Sequence, residues 1–107
     1  MQDKRIYELH ADVCKALGHP LRIEVIDLLS DGEYGFTDIL ERTGGLKSNL
    51  SQHLSAMVRK GILRVRRDGK NRIYALTSRK VARACTLMRE VLVEHVEKQR
   101  TALMNEK

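Results

Sequence analysis

The run Leu46-Lys47-Ser48-Asn49-Leu50-Ser51-Gln52-His53-Leu54-Ser55-Ala56-Met57-Val58-Arg59-Lys60 decides the fold together with its continuation, Gly61-Ile62-Leu63-Arg64-Val65-Arg66-Arg67-Asp68-Gly69-Lys70-Asn71-Arg72-Ile73-Tyr74-Ala75-Leu76. Leu50, Leu54, Met57 and Val58 stand at i, i+4, i+7 and i+8, which predicts a helix over about 47–60 with one buried face and a small, polar opposite face. Gly61 is placed to end it, and Arg59 and Lys60 put cations in the last turn, where the helix dipole favours them. Ile62–Arg67 and Lys70–Leu76 then alternate apolar with charged residues on either side of Asp68-Gly69, which predicts a basic β-hairpin over about 62–76.

Outward from this stretch, 107 residues leave room for one domain with one core. Charged residues make up 32 % and aromatics 4 %, so the core must be aliphatic and the chain mostly helical. The net charge is +6, and it is localised. Between Arg59 and Arg72, seven Lys/Arg face one acid, Asp68, and the remaining 13 basic and 13 acidic residues cancel. A patch of that kind fits a polyanionic partner. Met1 to Arg5 precede no apolar run long enough for a signal peptide, and no stretch approaches membrane-spanning length, so a cytoplasmic protein without a membrane partner is expected. Cys14 and Cys85, 71 positions apart, are expected as free thiols.

Ile6, Leu9, Val13 and Leu17 predict a first helix over about 4–17, closed by Gly18. Gly18-His19-Pro20 reads as a corner, with the proline opening the next helix. A second helix from Leu21 to about Ser30 places Leu21, Val25, Leu28 and Leu29 inward. Glu33 to Phe36 is a short extended piece. Thr37 is the expected N-cap of a third helix, Asp38 to Arg42, which buries Ile39 and Leu40 and stops at Gly44-Gly45. Thr77 or Ser78 caps a last helix over about 78–103. On it Cys85, Met88, Leu92, His95, Gln99 and Ala102 form a heptad-like seam, with Val81, Ala84, Leu87 and Val91 as an adjoining apolar edge. So small a body cannot cover both faces, so a two-fold dimer through the first and last helices is expected.

A polar-faced helix leading directly into a basic hairpin is the arrangement of a winged helix-turn-helix, in which the helix enters the DNA major groove and the hairpin grips the backbone. The fold class is therefore mainly α with a small β-hairpin, one domain over residues 1–107. Three segments carry a family resemblance. Cys14-Lys15-Ala16-Leu17-Gly18-His19-Pro20-Leu21-Arg22, Ser51-Gln52-His53-Leu54, and Gly61-Ile62-Leu63 with Asp68-Gly69 and Ile73–Leu76 resemble, in order, the opening, recognition helix and wing of the ArsR/SmtB family. The resemblance implies a dimeric bacterial or archaeal repressor that leaves its operator, an inverted repeat in double-stranded DNA, when an inducer acts on the dimer. The family's inducers include metals, metalloids and oxidants. One departure lies at Gly45-Leu46, where the family usually has Leu-Ser; either Ser48 caps the recognition helix or its start is displaced.

On that helix Lys47, Ser48, Asn49, Ser51, Gln52, His53 and Ser55 are the expected DNA contacts, with Asn49 and Gln52 as base readers because amide side chains pair bidentately with adenine edges. On the wing Arg64, Arg66, Arg67, Lys70 and Arg72 are expected to bind phosphate.

The family's sensing sites do not carry over. Its Cys-x-Cys metalloid pair corresponds to Gly35 and Thr37, its zinc ligands to Ser78, Lys80, Val91 and Glu94, and its redox cysteines to Asp27 and Val93. That leaves Cys14 and Cys85, with His10 and His95 as helpers, for a redox or sulfur species or a thiophilic metal or metalloid; the identity of any metal stays open. Against this, both cysteines are readable as small buried hydrophobes, which is what free cysteine most often is. No nucleophile, base and orienter set, no paired carboxylates and no phosphate-binding glycine loop are present, so an enzyme is not expected. Constitutive or architectural DNA binding, and a protein-interaction module, are the alternatives; RNA binding is disfavoured because the region lacks an aromatic platform.

Overall fold

A computed structural model describes residues 3–105. The elements run α1 (Lys4–Leu17), α2 (Pro20–Leu29), β1 (Tyr34–Gly35), α3 (Phe36–Thr43), α4 (Lys47–Arg59), β2 (Leu63–Asp68), β3 (Asn71–Leu76) and α5 (Arg79–Asn105). The short extended piece is β1, and it joins the hairpin to make a three-stranded antiparallel sheet of order β1-β3-β2. Tyr34 pairs with Tyr74 and Gly35 with Ile73.

The core lies where α2, α3 and α4 meet the sheet. Val25, Ile26, Ile39, Leu54 and Met57 are completely shielded from solvent, and Leu50, Ile62 and Leu63 nearly so. Ile26 was not among the expected inward residues; Leu21 and Leu28 are only half buried. The third helix begins at Phe36, with Gly35 at its N-cap and Thr37 already inside it. Thr37 therefore caps nothing. Pairing of Tyr34-Gly35 with β3 ends the strand one residue before the helix, and that fixes the start.

At the end of α4, the N–H of Gly61 donates to the Val58 carbonyl and that of Ile62 to the Met57 carbonyl, both at 3.0 Å. With Gly61 at φ 77° this is the Schellman arrangement, which satisfies the last carbonyls and turns the chain into the wing. Thr77 closes the wing's root: its N–H donates to the Ile62 carbonyl at 3.0 Å and its hydroxyl to the Gly61 carbonyl at 2.6 Å.

Asp68 pairs with Asn71, so the hairpin turn is Gly69-Lys70 rather than Asp68-Gly69. Gly69 has φ 64° and, among the described residues, no non-glycine has positive φ, the pattern of a type II′ turn.

Helices α1 and α5 lie outside this body. Of α1 only Ala16 is buried, and the described residues of α5 include no buried one. Val81, Ala82 and Cys85 of α5 pack against the core; beyond them Leu87, Met88, Val91, Leu92, Val93, Val96, Leu103 and Met104 are each more than half exposed. Ser78 caps the helix, its Oγ accepting from the Lys80 N–H at 3.2 Å. Ion pairs tie the outer helices to the body, Lys60 to Asp12 at 2.8 Å and Arg89 to Asp27 at 3.3 Å. No helix among the described residues is long and apolar enough to cross a membrane.

Candidate nucleic-acid interface

The face of α4 opposite its buried Leu50, Leu54 and Met57 is solvent-exposed at Ser48, Asn49, Gln52 and Arg59. Gln52 stands near the middle of that face, and Asn49, three residues before it, is its neighbour on the helix surface. Lys47 is exposed at the first turn. The N-cap is Leu46, without a side-chain hydrogen bond. Ser48 therefore leaves the helix start uncapped, with its backbone donors open to an incoming acceptor. Ser51 and Ser55 are half buried, and Ser55 lies in the wall of a groove between α4 and the wing.

That groove holds about 500 Å³ and is lined by Ser55, Val58, Arg59, Val65, Arg66, Arg67, Arg72 and Tyr74. The wing's register sets which side chains share a face. Arg67 is paired directly with Arg72. Side chains alternate between faces along a strand, so Leu63, Val65 and Arg67 share one face with Leu76, Tyr74 and Arg72. Leu63, Tyr74 and Leu76 are buried at the inner end of that face. Its outer end therefore presents two arginines across from Arg59 of α4. Like charges directly opposite on a ribbon repel. Among the described residues none of Arg59, Arg67, Lys70 and Arg72 forms an ion pair.

The other face of the wing is different. Arg66 makes a two-pronged contact with Glu33, Nε to Oε2 and Nη2 to Oε1, each 3.1 Å. This pairing holds the Glu33 carboxyl below its ordinary pKa, with a smaller contribution from Arg64 nearby. Arg64 donates to the Leu76 carbonyl at 3.5 Å. Of the five wing cations expected to bind phosphate, two thus have acceptors within the protein. Arg59, not among the expected contacts, joins this candidate site, and its place seven residues after Gln52 on the same helix face is a legible signal.

His53 is turned away from the open face, toward α2. Its Nδ1 accepts from Arg22 Nε at 2.9 Å, and its ring lies 4.1 Å from that of His19. Arg22 also donates to the Ala16 carbonyl at 2.9 Å, so one guanidinium joins the end of α1 to α4. Burial, then the neighbouring His19 and Arg22, push the His53 pKa below its ordinary value. The ring is a half-buried internal acceptor through Nδ1, unlike the exposed Asn49 and Gln52.

Cys14 and its neighbour His10 are exposed on α1, and His95 is exposed on α5. Cys85 is half buried against the core, and burial pushes its thiol pKa up, with Asp27 adding to the shift and Arg89 opposing it. Among the described residues no group of three or more His, Cys, Asp or Glu could hold a metal ion.

The sequence model described as "Bacterial regulatory protein, arsR family" matches residues 19–65, which span α2 to the start of the wing. An uncharacterised HTH-type transcriptional regulator of Mycobacterium tuberculosis, Rv0081, is 36 % identical over 93 residues, 86 % of this chain and 82 % of that protein. Its crystal structure superposes with a TM-score of 0.80, covering 91 % of this chain and 98 % of that one. A homodimeric winged helix-turn-helix DNA-binding domain, Mb0332 of Mycobacterium bovis, gives a TM-score of 0.79 at 31 % identity over 92 % of this chain and 93 % of that one. The arsenical resistance operon repressor of Staphylococcus xylosus is 33 % identical over 70 residues, 65 % of this chain and 67 % of that protein.

Proposed function

The chain belongs to the ArsR family of winged helix-turn-helix, DNA-binding transcriptional regulators, and from that premise we propose that it is a homodimeric repressor of an inverted-repeat operator, released by an inducer that acts on the dimer. The convergence of Arg59, Arg67 and Arg72 on one groove beside the open face of α4 carries the proposal. Three cations facing each other without an acid cost energy until a polyanion lies between them. Asn49 and Gln52 read base edges in the major groove, while Arg59, Arg67, Lys70 and Arg72 hold phosphates and set the register. The exposed apolar row of α5, with α1, forms the two-fold interface that spaces two such units about one DNA turn apart. A regulator of this kind acts where the chromosome is, in the cytoplasm.

The positions of the family's metalloid pair, Gly35 and Thr37, supply no thiolate, so no step is assigned to a metal there. Sensing falls to Cys14 and Cys85, which sit on the two helices of the dimer.

Binding to the DNA upstream of the protein's own coding sequence, followed across a salt series, tests the first half. Arg67→Ala and Arg72→Ala should each lower the slope of log affinity against log salt by about 1 per lost contact, hence about 2 for a dimer with both wings engaged. Unchanged slopes would remove the wing from the interface, and equal weak binding to every sequence would make the protein architectural. Operator affinity of wild type, Cys14→Ser and Cys85→Ser with peroxide, persulfide, zinc or arsenite tests the second half; if no treatment alters wild-type binding, thiol sensing is refuted.

A further inference from the structure

Glu33 and Arg66 lie on opposite edges of the three-stranded sheet. Glu33 leads into β1, Arg66 is on β2, and β3 runs between them. Ile73 of β3 is the residue paired with both Gly35 of β1 and Arg66 of β2. Its Cδ1 stands 3.5 Å from where a Cβ on Gly35 would be, an ordinary packing distance. The two-pronged Glu33–Arg66 contact, 3.1 Å at each prong, thus runs from the residue before β1 across β3 to Arg66, whose row, with Ile73 and Gly35, is the last in which all three strands are paired. One position further out, at Arg67 and Arg72, the hairpin has no third strand beside it. A two-stranded ribbon alone is only marginally stable, so its attachment at this point governs where its tip sits.

On the wing reading proposed above, we infer that Arg66 is a positioning residue, strapped to Glu33 to hold the wing at its angle to α4, and that DNA meets the opposite face of the wing through Arg67 and Arg72. A planar guanidinium held by both carboxylate oxygens fixes orientation as well as distance, which a single-point contact does not. The strap also removes one cation from the wing's free charge by pairing it with an acid.

Operator binding of wild type, Arg67→Gln, Arg66→Gln and the charge exchange Glu33→Arg with Arg66→Glu, each across a salt series, tests this. Amide hydrogen exchange at 67–72 in the free proteins is followed in parallel. Arg67→Gln should lower the salt slope and leave exchange as in wild type. Arg66→Gln should leave the slope unchanged, weaken binding about two- to fivefold, the scale of an exposed ion pair, and speed exchange at 67–72. The charge exchange, which conserves total charge, should restore both exchange and affinity to within about twofold, on the same exposed-pair scale. If Arg66→Gln lowers the slope as much as Arg67→Gln and leaves exchange unchanged, Arg66 is a phosphate contact and the strap is refuted. A flat slope for Arg67→Gln instead undermines the wing's role in DNA binding, while the exchange measurement still decides the strap.

Discussion

Leu92→Ala should loosen the dimer about a hundredfold. Leu92 is 58 % exposed in the single chain and lies in the row of apolar side chains that α5 leaves uncovered. The truncation deletes three carbons, about 2.4 kcal/mol of apolar transfer at roughly 0.8 kcal/mol per CH₂ when the side chain is fully withdrawn from water. The chain's own packing already covers about two fifths of the residue, which leaves roughly 1.4 kcal/mol per chain for the partner to gain. Two-fold symmetry counts the loss twice, so about 2.8 kcal/mol is removed from association, two factors of ten in Kd. Sedimentation velocity over a dilution series measures this directly. Val81→Ala is the companion, because Val81 is half buried against the core; it should lower the stability of the body and leave the dimer constant near wild type. A dimer constant for Leu92→Ala indistinguishable from wild type would mean that the partner packs elsewhere, and the assignment of α5 as the interface would be refuted.

Three further outcomes are expected. In Gly61→Ala the added Cβ meets nothing within 4 Å, so the cost is that of holding alanine at φ 77°, about 1 kcal/mol in urea unfolding; an unchanged stability would mean that the helix end relaxes freely. His53 has a folded-state pKa below its ordinary 6.5, so the unfolded chain takes up the proton first. Its contribution is therefore intact above about pH 6.5 and is lost as the pH falls below that value. His53→Gln, which keeps an acceptor for Arg22, should flatten stability against pH between about 5.5 and 7, and an unaltered profile counts against the Arg22–His53 bond. Finally, Cys85 should alkylate at least about tenfold more slowly in the native protein than in urea, because burial raises its pKa and covers it; equal rates would mean that the thiol is open.

Most of the architecture was legible from periodicity and from glycine placement. Leu50, Leu54 and Met57 marked the buried face of α4, and Gly61 marked its end. Errors appeared where a distant partner overrode local chemistry. Thr37 has the chemistry of an N-cap, but strand pairing of Tyr34 and Gly35 with β3 started the helix earlier. The turn moved by one residue because register is set by the whole hairpin, and that shift placed Arg67 opposite Arg72. Arg66 looked equivalent to Arg67 because nothing local distinguishes them; the difference lies in Glu33, 33 positions away, which no periodicity links to the wing. The acceptor role of His53 is hidden in the same way, because it depends on Arg22 from α2.

The lopsided charge has a kinetic consequence. All of the net +6 arises between Arg59 and Arg72, and the remainder of the chain sums to zero. Such a molecule carries a large electric moment pointing along its wing side. In the field of a duplex it feels a torque before it feels any contact, so a tumbling dimer arrives with its arginines leading. That shortens the search over orientations which ordinarily slows docking to about 10⁵–10⁷ M⁻¹s⁻¹. Salt will therefore slow arrival as well as weaken the complex, whereas a change at Gln52 or Asn49 will be felt in how long the protein stays.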